Sequence, residues 1–226
     1  MCGRFTSLLS PELLSAVFNV TAPSALPHRY NIAPTQKVLT VRQEWAVARY
    51  ATQVRWGLIP HWAKDMSIGS KMINARSETV HEKPAFRQAI RSRRCIVPAS
   101  GFFEWVATPK GKFPQYITMQ NGSPFAFAGI WESWKAPQGE IIESCAILTT
   151  AANSFMSKIH DRMPVILHQT DFDLWLDCLV NEPLSTERFY QPFPAELMHA
   201  WPVSKLVNSP AHDAEECIRP LSTTER

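Results

Sequence analysis

The stretch that decides the fold is residues 95–149, CIVPASGFFEWVATPKGKFPQYITMQNGSPFAFAGIWESWKAPQGEIIESCAILT. It consists of apolar and aromatic runs of strand length, separated by Gly, Pro and Asn. The predicted strands are Cys95–Ala99, Phe102–Val106, Phe113–Met119, Phe125–Trp134 and Ile141–Thr149. Asn121-Gly122, between two of these runs, predicts a hairpin turn. Many short strands in succession are typical of a curved, barrel-like sheet.

The remaining segments predict short strands and a few short helices. The expected strands are Lys37–Arg42 in a hairpin with Trp45–Tyr50, then Gln53–Gly57, Pro164–Leu167 and Ala200–Val207. The expected helices are Ser10–Phe18 with Ser10 as N-cap, Pro84–Arg94, Ala151–Ile159, and one that ends at Val180 after a capping box at Thr170–Asp173. We therefore predict the α+β class, with one β-rich domain over residues 1–226 and peripheral helices.

Composition excludes several classes of protein. The chain has 226 residues, of which 45% are hydrophobic and 19% charged, and these values exclude an intrinsically disordered protein. No apolar run approaches the roughly 20 residues of a membrane span, and the start lacks a secretory signal, so we expect a cytoplasmic protein. The five cysteines form no C-x-x-C pair. We expect reduced thiols and no metal site.

Cys2 is a candidate reactive residue because of its place in the chain. Removal of Met1 leaves an amine and a thiol on adjacent carbons. An α-amine has a reference pKa of about 7.7–8.0, so part of it is uncharged at neutral pH. Such an aminothiol condenses with an aldehyde to a thiazolidine, whereas a thiolate in this place attacks an amide in N-terminal-nucleophile hydrolases. A cysteine that stands at position 2 by chance is the remaining alternative.

Three other polar residues are candidates for positioning or proton transfer, each with a structural alternative. Asn74 both donates and accepts hydrogen bonds, but it also suits a helix cap. Glu104, inside GFFEW, has a raised pKa if its strand is buried, or faces solvent if strand alternation turns it outward. His160, in IHDRMP, is either a proton shuttle near pH 7 or a structural histidine beside an ion pair.

The distribution of charge suggests a polyanionic partner. Residues 1–120 hold 16 Lys/Arg against 6 Asp/Glu, a net charge of +10, and residues 121–226 hold 7 against 14, a net charge of −7. A basic half indicates a nucleic-acid surface, although scattered solvated charges give the same count. Within this half, Arg76 suits a phosphate, and Trp62 is suited either to stacking on a base or to the core.

Six strings in a fixed order resemble the SRAP family, abasic-site processing proteins once labelled SOS-response-associated peptidases. The strings are MCGRF (1–5), YNIAP (30–34), WGLIP (56–60), NARSET (74–79), GFFEW (101–105) and IHDRMP (159–164). WPVS (201–204) fits near the end of the chain. The matching motifs cover residues 1–167 and 201–204, and residues 171–199 are the least distinctive.

The resemblance implies a β-rich pseudo-barrel with a positively charged groove for single-stranded DNA. It implies that Met1 is removed by autoproteolysis and that Cys2 then reacts with the aldehyde of a ring-opened abasic site. The product is a thiazolidine DNA–protein crosslink that shields the lesion in the DNA damage response. A monomer without metal or organic cofactor is expected.

The resemblance also assigns roles to residues. In the expected catalytic set, Cys2 reacts, Asn74 positions it, Glu104 shuttles protons and His160 assists opening of the sugar ring and reversal. In the expected DNA-binding set, the arginines hold phosphates, Pro34 and the tryptophans pack on bases, and Thr149 lines the site: Arg4, Pro34, Trp62, Arg76, Trp105 and Thr149.

Two other functions remain open from the sequence. One is an N-terminal-nucleophile cysteine peptidase that acts on other proteins through Cys2. Such an enzyme needs an oxyanion hole, which a sequence cannot show. This function also leaves the basic half of the chain without a role. The other is a non-catalytic reader of modified DNA bases, which leaves Cys2 without a role.

Overall fold

The structure is a computed structural model that describes residues 2–44, 48–178 and 186–222. Its strands are β1 (Phe5–Ser7), β2 (Arg29–Ile32), β3 (Lys37–Arg42), β4 (Tyr50–Trp56), β5 (Asn74–Arg76), β6 (Arg94–Ala99), β7 (Gly101–Thr108), β8 (Gly111–Met119), β9 (Phe125–Lys135), β10 (Ile141–Ala151), β11 (Arg162–Pro164) and β12 (Met198–Pro202). Its α-helices are α1 (Pro11–Phe18), α2 (Ala89–Ser92) and α3 (Phe172–Leu176). No helix within these residues has the length and apolar character that crossing a membrane requires.

Five strands close into a barrel. β10 pairs with β4, β4 with β3, β3 with β6, β6 with β9, and β9 returns to β10. The β10–β4 pairing is parallel and the other four are antiparallel. β5 and β11 also pair with β10, toward its C-terminal end. This closed ring, with few and short helices around it, confirms the predicted α+β class and its pseudo-barrel.

A second, antiparallel sheet has the strand order β12-β8-β7-β1-β2 and packs on the barrel. Phe5 of β1 joins the two layers, because its ring meets the rings of Trp56 at 5.1 Å and Phe127 at 6.1 Å, both edge to face. All three side chains are almost completely buried. Since β1 carries the start of the chain, this packing places residue 2 between the sheet and the barrel.

The helices cover the outside of the barrel. As predicted, Ser10 caps α1: its hydroxyl accepts a hydrogen bond from the backbone N–H of Leu13, and Pro11 occupies the first turn. Phe18 at the end of α1 stacks on Phe172 of α3, with ring centroids 5.5 Å apart. Trp175 of α3 is fully buried. Each such side chain contributes about 1.5–3 kcal/mol when it leaves water.

The hairpin predicted at Asn121-Gly122 is wrong. Gly122 has a φ of +72°, so the turn itself forms. However, β8 before it pairs with β7 and β12, whereas β9 after it pairs with β6 and β10. The turn carries the chain from the second sheet to the barrel. Local turn chemistry reverses the chain direction but does not choose the partner strand.

Several predicted elements are shorter than expected or shifted along the chain. The helix expected at Pro84–Arg94 is limited to α2, and the one at Ala151–Ile159 to the 3₁₀ turn Met156–Lys158. The last predicted strand lies at Met198–Pro202, and a 3₁₀ turn over Lys205–Asn208 follows it. Side-chain hydrogen bonds set the start of both 3₁₀ turns, because Asn153 accepts from the backbone N–H of Met156 and Ser204 accepts from that of Leu206.

Three further expectations meet the structure only in part. The strand that pairs with Lys37–Arg42 begins at Tyr50, and residues 45–47 of the strand predicted at Trp45–Tyr50 lie outside the described residues. Of the strand predicted at Pro164–Leu167, Pro164 ends the observed strand Arg162–Pro164, and Ile166 forms an isolated bridge. The helix α3 begins without a side-chain cap, so the capping box is wrong, and Val180 lies outside the described residues.

Candidate active site

Cys2 lies at the junction of the sheet and the barrel. Its side chain is 0% exposed and belongs to the same apolar cluster as Phe5 and Trp56. Burial raises the pKa of the thiol well above its ordinary value, and the negative charge of Glu104 raises it further. The sulfur is therefore a neutral thiol at neutral pH, 3.9 Å from the carbonyl oxygen of Arg4.

Asn74 contacts Cys2 directly. Strand β5 places it there, because β5 pairs in parallel with β10 and sets Asn74 opposite Ile147. The Nδ2 group of Asn74 donates a hydrogen bond to the carbonyl oxygen of Cys2 at 2.9 Å. Its Oδ1 atom is buried and accepts no hydrogen bond from the described part of the chain. The amide thus fixes the backbone of Cys2 and keeps one acceptor oxygen at the same place.

Glu104 is a buried carboxylic acid near the thiol. It stands on β7 and is only 3% exposed, so the alternative in which strand alternation turns it to solvent is wrong. The backbone N–H of Phe103 donates to the carbonyl of Arg4 at 2.9 Å, so the first residues run alongside β7. Burial raises the pKa of Glu104, and the positive charge of His160 opposes that shift. A carboxyl of this kind can hold a proton at a pH where an exposed one has lost it.

His160 follows a 3₁₀ turn and has two neighbours at one ring nitrogen. Its Nδ1 atom lies 3.0 Å from the backbone nitrogen of Arg162 and 2.7 Å from a carboxylate oxygen of Asp161. A backbone N–H can only donate, so in the neutral ring Nδ1 is the acceptor and Nε2 carries the proton. When the ring is protonated, Nδ1 donates to the exposed Asp161 instead. Arg162 and Asp161 together therefore hold the orientation of the imidazole ring.

The structure brings together the four residues expected to be catalytic. They come from the N-terminus, β5, β7 and the loop before β11, and the thiol, carboxyl and imidazole are near enough to influence one another electrostatically. Metal ligands are not clustered here: the described residues hold no group of three or more His, Cys, Asp or Glu that could bind an ion. The arrangement combines a thiol, a proton donor and a positioning amide.

Arg162 links Thr149 to the same region. Thr149, on β10, is fully buried, and its carbonyl oxygen accepts from Nη2 of Arg162 at 2.7 Å. Arg162 also binds the carboxylate of Glu78 with two hydrogen bonds, which lowers the pKa of Glu78. The sequence motif around His160 contains Arg162 but does not reveal this ion pair, because Glu78 is 84 residues away.

Arg4 and Trp105 lie on the other face of the second sheet from Glu104. Along β7, Phe102 belongs to the cluster that holds Cys2, whereas Phe103 packs with Trp105 and Tyr116 on the opposite face. β1 pairs with β7 at Gly101 and Phe102, and the backbone N–H of Phe103 donates to the carbonyl of Arg4. Of the expected DNA-binding set, Arg4 and Trp105 therefore lie on the face of the sheet opposite to Cys2 and Glu104.

The other three residues of the expected DNA-binding set lie at the surface. Arg76 is exposed and two residues after Asn74 on β5, so both side chains project from the same face of the strand. Trp62, in the loop after β4, is 50% exposed. Pro34 is half-buried, and Thr35 beside it has a φ of +73°, a rare conformation for a β-branched residue. No hydrogen bond, ion pair or ring contact among the described residues joins any two of these three.

A large cleft lies beside this region but does not contain it. The cleft has a volume of about 950 Å³ and is lined by residues that include Glu78, His81, Thr150 and Tyr190. None of the four expected catalytic residues lines it. The candidate site is instead the edge of β7 and the end of the barrel around Cys2.

Comparison with known proteins identifies the family of this chain. The model of the SOS response associated peptidase (SRAP) family matches residues 1–210. The abasic site processing protein YoqW of Bacillus subtilis (strain 168) is 44% identical over 222 residues, which is 96% of this chain and 99% of that protein. The abasic site processing protein HMCES of Mus musculus is 32% identical over 204 residues, which is 76% of this chain and 57% of that protein.

Solved structures agree with the fold. The crystal structure of a protein from Bacteroides thetaiotaomicron matches with a TM-score of 0.88 and 27% identity, covering 98% of this chain and all of the other. A phage-related protein from Bordetella bronchiseptica matches with a TM-score of 0.72 and 30% identity over 90% of this chain. From the matched family model and the extent of these similarities, the chain belongs to the SRAP family.

Proposed function

We propose that this protein processes abasic sites in single-stranded DNA by forming a thiazolidine crosslink through Cys2 after removal of Met1. The names of the curated relatives support the abasic site as substrate. The observation that carries the proposal is the hydrogen bond from Asn74 to the carbonyl oxygen of Cys2, at 2.9 Å. It fixes residue 2, the residue whose amine and thiol have to react together.

The reaction begins with the free amine of Cys2. An abasic site equilibrates between a closed sugar and an open form with an aldehyde at C1′. The amine attacks C1′ and forms a carbinolamine, which loses its hydroxyl as water and becomes an iminium ion. The sulfur then adds to C1′. The five atoms of the new ring are N, Cα, Cβ and Sγ of Cys2 and C1′ of the sugar.

Glu104 supplies and recovers the proton in these steps. Its raised pKa favours the protonated carboxyl, which donates to the leaving hydroxyl. The resulting carboxylate takes the proton of the Cys2 thiol as the sulfur bonds to C1′. The proton balance closes, because the proton that Glu104 gives to the departing water is replaced by the proton of the Cys2 thiol, and the C–S bond that forms in the same step drives this transfer.

His160 is proposed to open the sugar. In the neutral ring, Nδ1 accepts from the backbone N–H of Arg162, so the ring proton is on Nε2, and we assign to Nε2 the proton transfer to the ring oxygen of the deoxyribose. Opening of the hemiacetal moves a proton from the C1′ hydroxyl to that ring oxygen, and a histidine near pH 7 can assist both transfers. The same group can assist reversal.

The proposed DNA contacts surround this centre. Arg4 and Arg76 hold phosphates, Pro34, Trp62 and Trp105 pack on bases, and Thr149 lines the site. Single-stranded DNA suits the chemistry because C1′ has to be reached without an opposing strand. We place the reaction in the cytoplasm and assign it to a monomer without a cofactor.

The test is a denaturing gel. Met-free protein is incubated with three single-stranded oligonucleotides of one sequence: intact, with one abasic site, and with one tetrahydrofuran analogue that has no aldehyde. A heat-stable shifted band with the abasic site alone supports the proposal. A peptidase would cleave a protein substrate and give no shifted band. A non-catalytic reader would bind DNA under native conditions and give no heat-stable adduct, so the proposal fails in both cases.

A further inference from the structure

A segment near the end of the described chain crosses the second sheet on the face away from Cys2. We call residues 204–213 the strap. Its Val207 is fully buried in the cluster with Phe103 and Tyr116. Near its end, the carboxylate of Asp213 accepts hydrogen bonds from the backbone N–H of Asn31 at 2.9 Å and from the side chain of Arg29. The strap is therefore anchored at its middle and at its end.

Asn31 of β2 ties the strap to the start of the chain. Its Nδ2 group donates to the carbonyl oxygens of Val207 at 3.1 Å, Ser209 at 3.0 Å and His212 at 2.6 Å. Its Oδ1 atom accepts from Nη1 of Arg4 at 2.8 Å. One buried amide thus fixes both the path of the strap and one side of the Arg4 guanidinium.

Asn208 contacts both Arg4 and Trp105. Its carbonyl oxygen accepts from Nη2 of Arg4 at 3.1 Å, and its Oδ1 atom accepts from Nε1 of Trp105 at 2.8 Å. These two side chains are the members of the proposed DNA-binding set that lie on this face of the sheet. The indole and the guanidinium therefore share one residue of the strap as support.

The partners of Arg4 leave its charge uncompensated. Asn31, Val207 and Asn208 bind it through neutral amide and carbonyl oxygens, and it forms no salt bridge with a carboxylate of the described residues. A guanidinium held by neutral acceptors is oriented but keeps its full attraction for a phosphate. The strap therefore orients Arg4 without neutralising it, as a phosphate contact requires.

We infer that Asn208 is a positioning residue for DNA binding: it holds the indole of Trp105, beside Arg4, in the orientation that receives a nucleotide next to the lesion. This inference rests on the proposed function. Asn208 is itself exposed and is anchored by its buried neighbour Val207, so its side chain can be changed without opening the core. An indole fixed at its N–H loses less rotamer freedom on stacking than an unrestrained one.

A double-mutant cycle tests the inference on noncovalent binding. Binding is measured by fluorescence anisotropy with a single-stranded oligonucleotide that carries a tetrahydrofuran site. Asn208→Ala should raise the Kd about 3- to 10-fold, the loss of one hydrogen bond. Trp105→Phe keeps an aromatic face but has no N–H, and should weaken binding similarly. If Asn208 acts through the indole N–H, then adding Asn208→Ala to the Trp105→Phe variant should raise the Kd by less than a further twofold.

Asn121→Ala is the matched control, because Asn121 is an exposed asparagine whose side chain bonds only locally, to Ser123. It should leave the Kd unchanged. With abasic DNA, Asn208→Ala should raise the half-saturating concentration and leave the crosslinking rate at saturation unchanged. If Asn208 served folding alone, Asn208→Ala would lower the melting temperature and the fraction of active protein, and the half-saturating DNA concentration of the remaining active protein would not change.

Two outcomes overturn the inference. One is an unchanged Kd in Asn208→Ala. The other is a double variant in which the losses of binding free energy from Asn208→Ala and Trp105→Phe add in full. Failure of the proposed function is recognised separately, because it is the absence of any heat-stable adduct from the wild-type protein with abasic DNA. The tetrahydrofuran oligonucleotide cannot form that adduct, so the cycle decides the role of Asn208 in either case.

Discussion

Asn74 donates a hydrogen bond from its side-chain amide to the carbonyl oxygen of Cys2, with 2.9 Å between nitrogen and oxygen. The two residues are 72 positions apart, and the contact forms because β5 adds to β10 at the end of the barrel. It holds the second residue of the chain, where termini are ordinarily poorly ordered. An ordered terminus limits the conformations that its amine and thiol sample before they react.

Cys2→Ser should abolish the heat-stable adduct and leave most of the noncovalent DNA affinity. The hydroxyl cannot close a ring of comparable stability, whereas the proposed phosphate contacts are unchanged. The adduct is measured on a denaturing gel and the affinity by anisotropy. An undiminished heat-stable band from this variant would show that the product is not a thiazolidine.

Insertion of one Ala between Met1 and Cys2 should also abolish the adduct. The amine of Cys2 is then part of a peptide bond, and a peptide nitrogen is not a useful nucleophile, although the thiol remains. Circular dichroism checks that the fold survives, and intact mass spectra should show loss of Met1 from the active wild-type protein. Full crosslinking by the inserted variant with Met1 still attached is incompatible with the mechanism.

Asn74→Asp should lower the crosslinking rate at saturating DNA by about 10²-fold, because a carboxylate oxygen replaces the donor and repels the carbonyl of Cys2. Asn74→Ala loses the contact without this repulsion and should be less impaired. DNA affinity should stay within twofold in both variants. A rate near the wild-type value in Asn74→Asp would show that the contact does not position the reacting groups.

Glu104→Gln should change both the rate and the pH dependence of stability. Burial raises the pKa of Glu104, so the folded chain holds this proton to higher pH than the unfolded chain does. The stabilisation is present below the unfolded pKa and is lost as the pH rises through the folded value. Glutamine cannot lose a proton, so at pH 8 the melting temperature of the variant should lie above that of the wild type. The difference should be about 2–4 °C for each kcal/mol gained in the free energy of unfolding. At pH 4 the difference should be smaller.

The same variant should crosslink at least about 10²-fold more slowly, the usual contribution of a general acid–base group. Glu196→Gln, at an exposed position, is the control and should change neither property. If the wild type and Glu104→Gln show parallel melting profiles from pH 4 to pH 8, the buried carboxyl does not titrate as argued.

Arg76→Ala should weaken DNA binding and reduce the slope of log K against log salt by roughly 1, because one phosphate contact is lost. Its melting temperature should not change, since Arg76 is exposed. Arg4→Ala should show the same reduced slope and also melt at a lower temperature, because it leaves the oxygens of Asn31 and Asn208 without their donor. Lys135→Ala, exposed at the end of β9, is the control for general charge. An unchanged slope in both arginine variants would place the DNA elsewhere.

The strand pattern in residues 95–149 was predictable because alternation and turn residues act locally. The partners of those strands were not. Asn121-Gly122 reverses the chain, yet β8 and β9 belong to different sheets. Partner choice depends on which apolar faces meet in the core, and residues far apart in the chain decide that. The lengths of the helices were not predictable either, because α2 and α3 both begin without a side-chain hydrogen bond at the N-cap.

The sequence by itself determined the order and composition of the motifs: a cysteine at position 2, an amide, a carboxyl and an imidazole in separate strings, and a basic first half. Only the tertiary structure decided which of these groups lie close together and which of them are buried. Glu104 is buried because the first half of β7 is covered on both faces, by the barrel and by the strap, so alternation over Gly101–Glu104 leaves no face to water. The contacts of Asn208 likewise exist only because the strap returns to the start of the chain, and a pairing across more than 100 residues has no local signal.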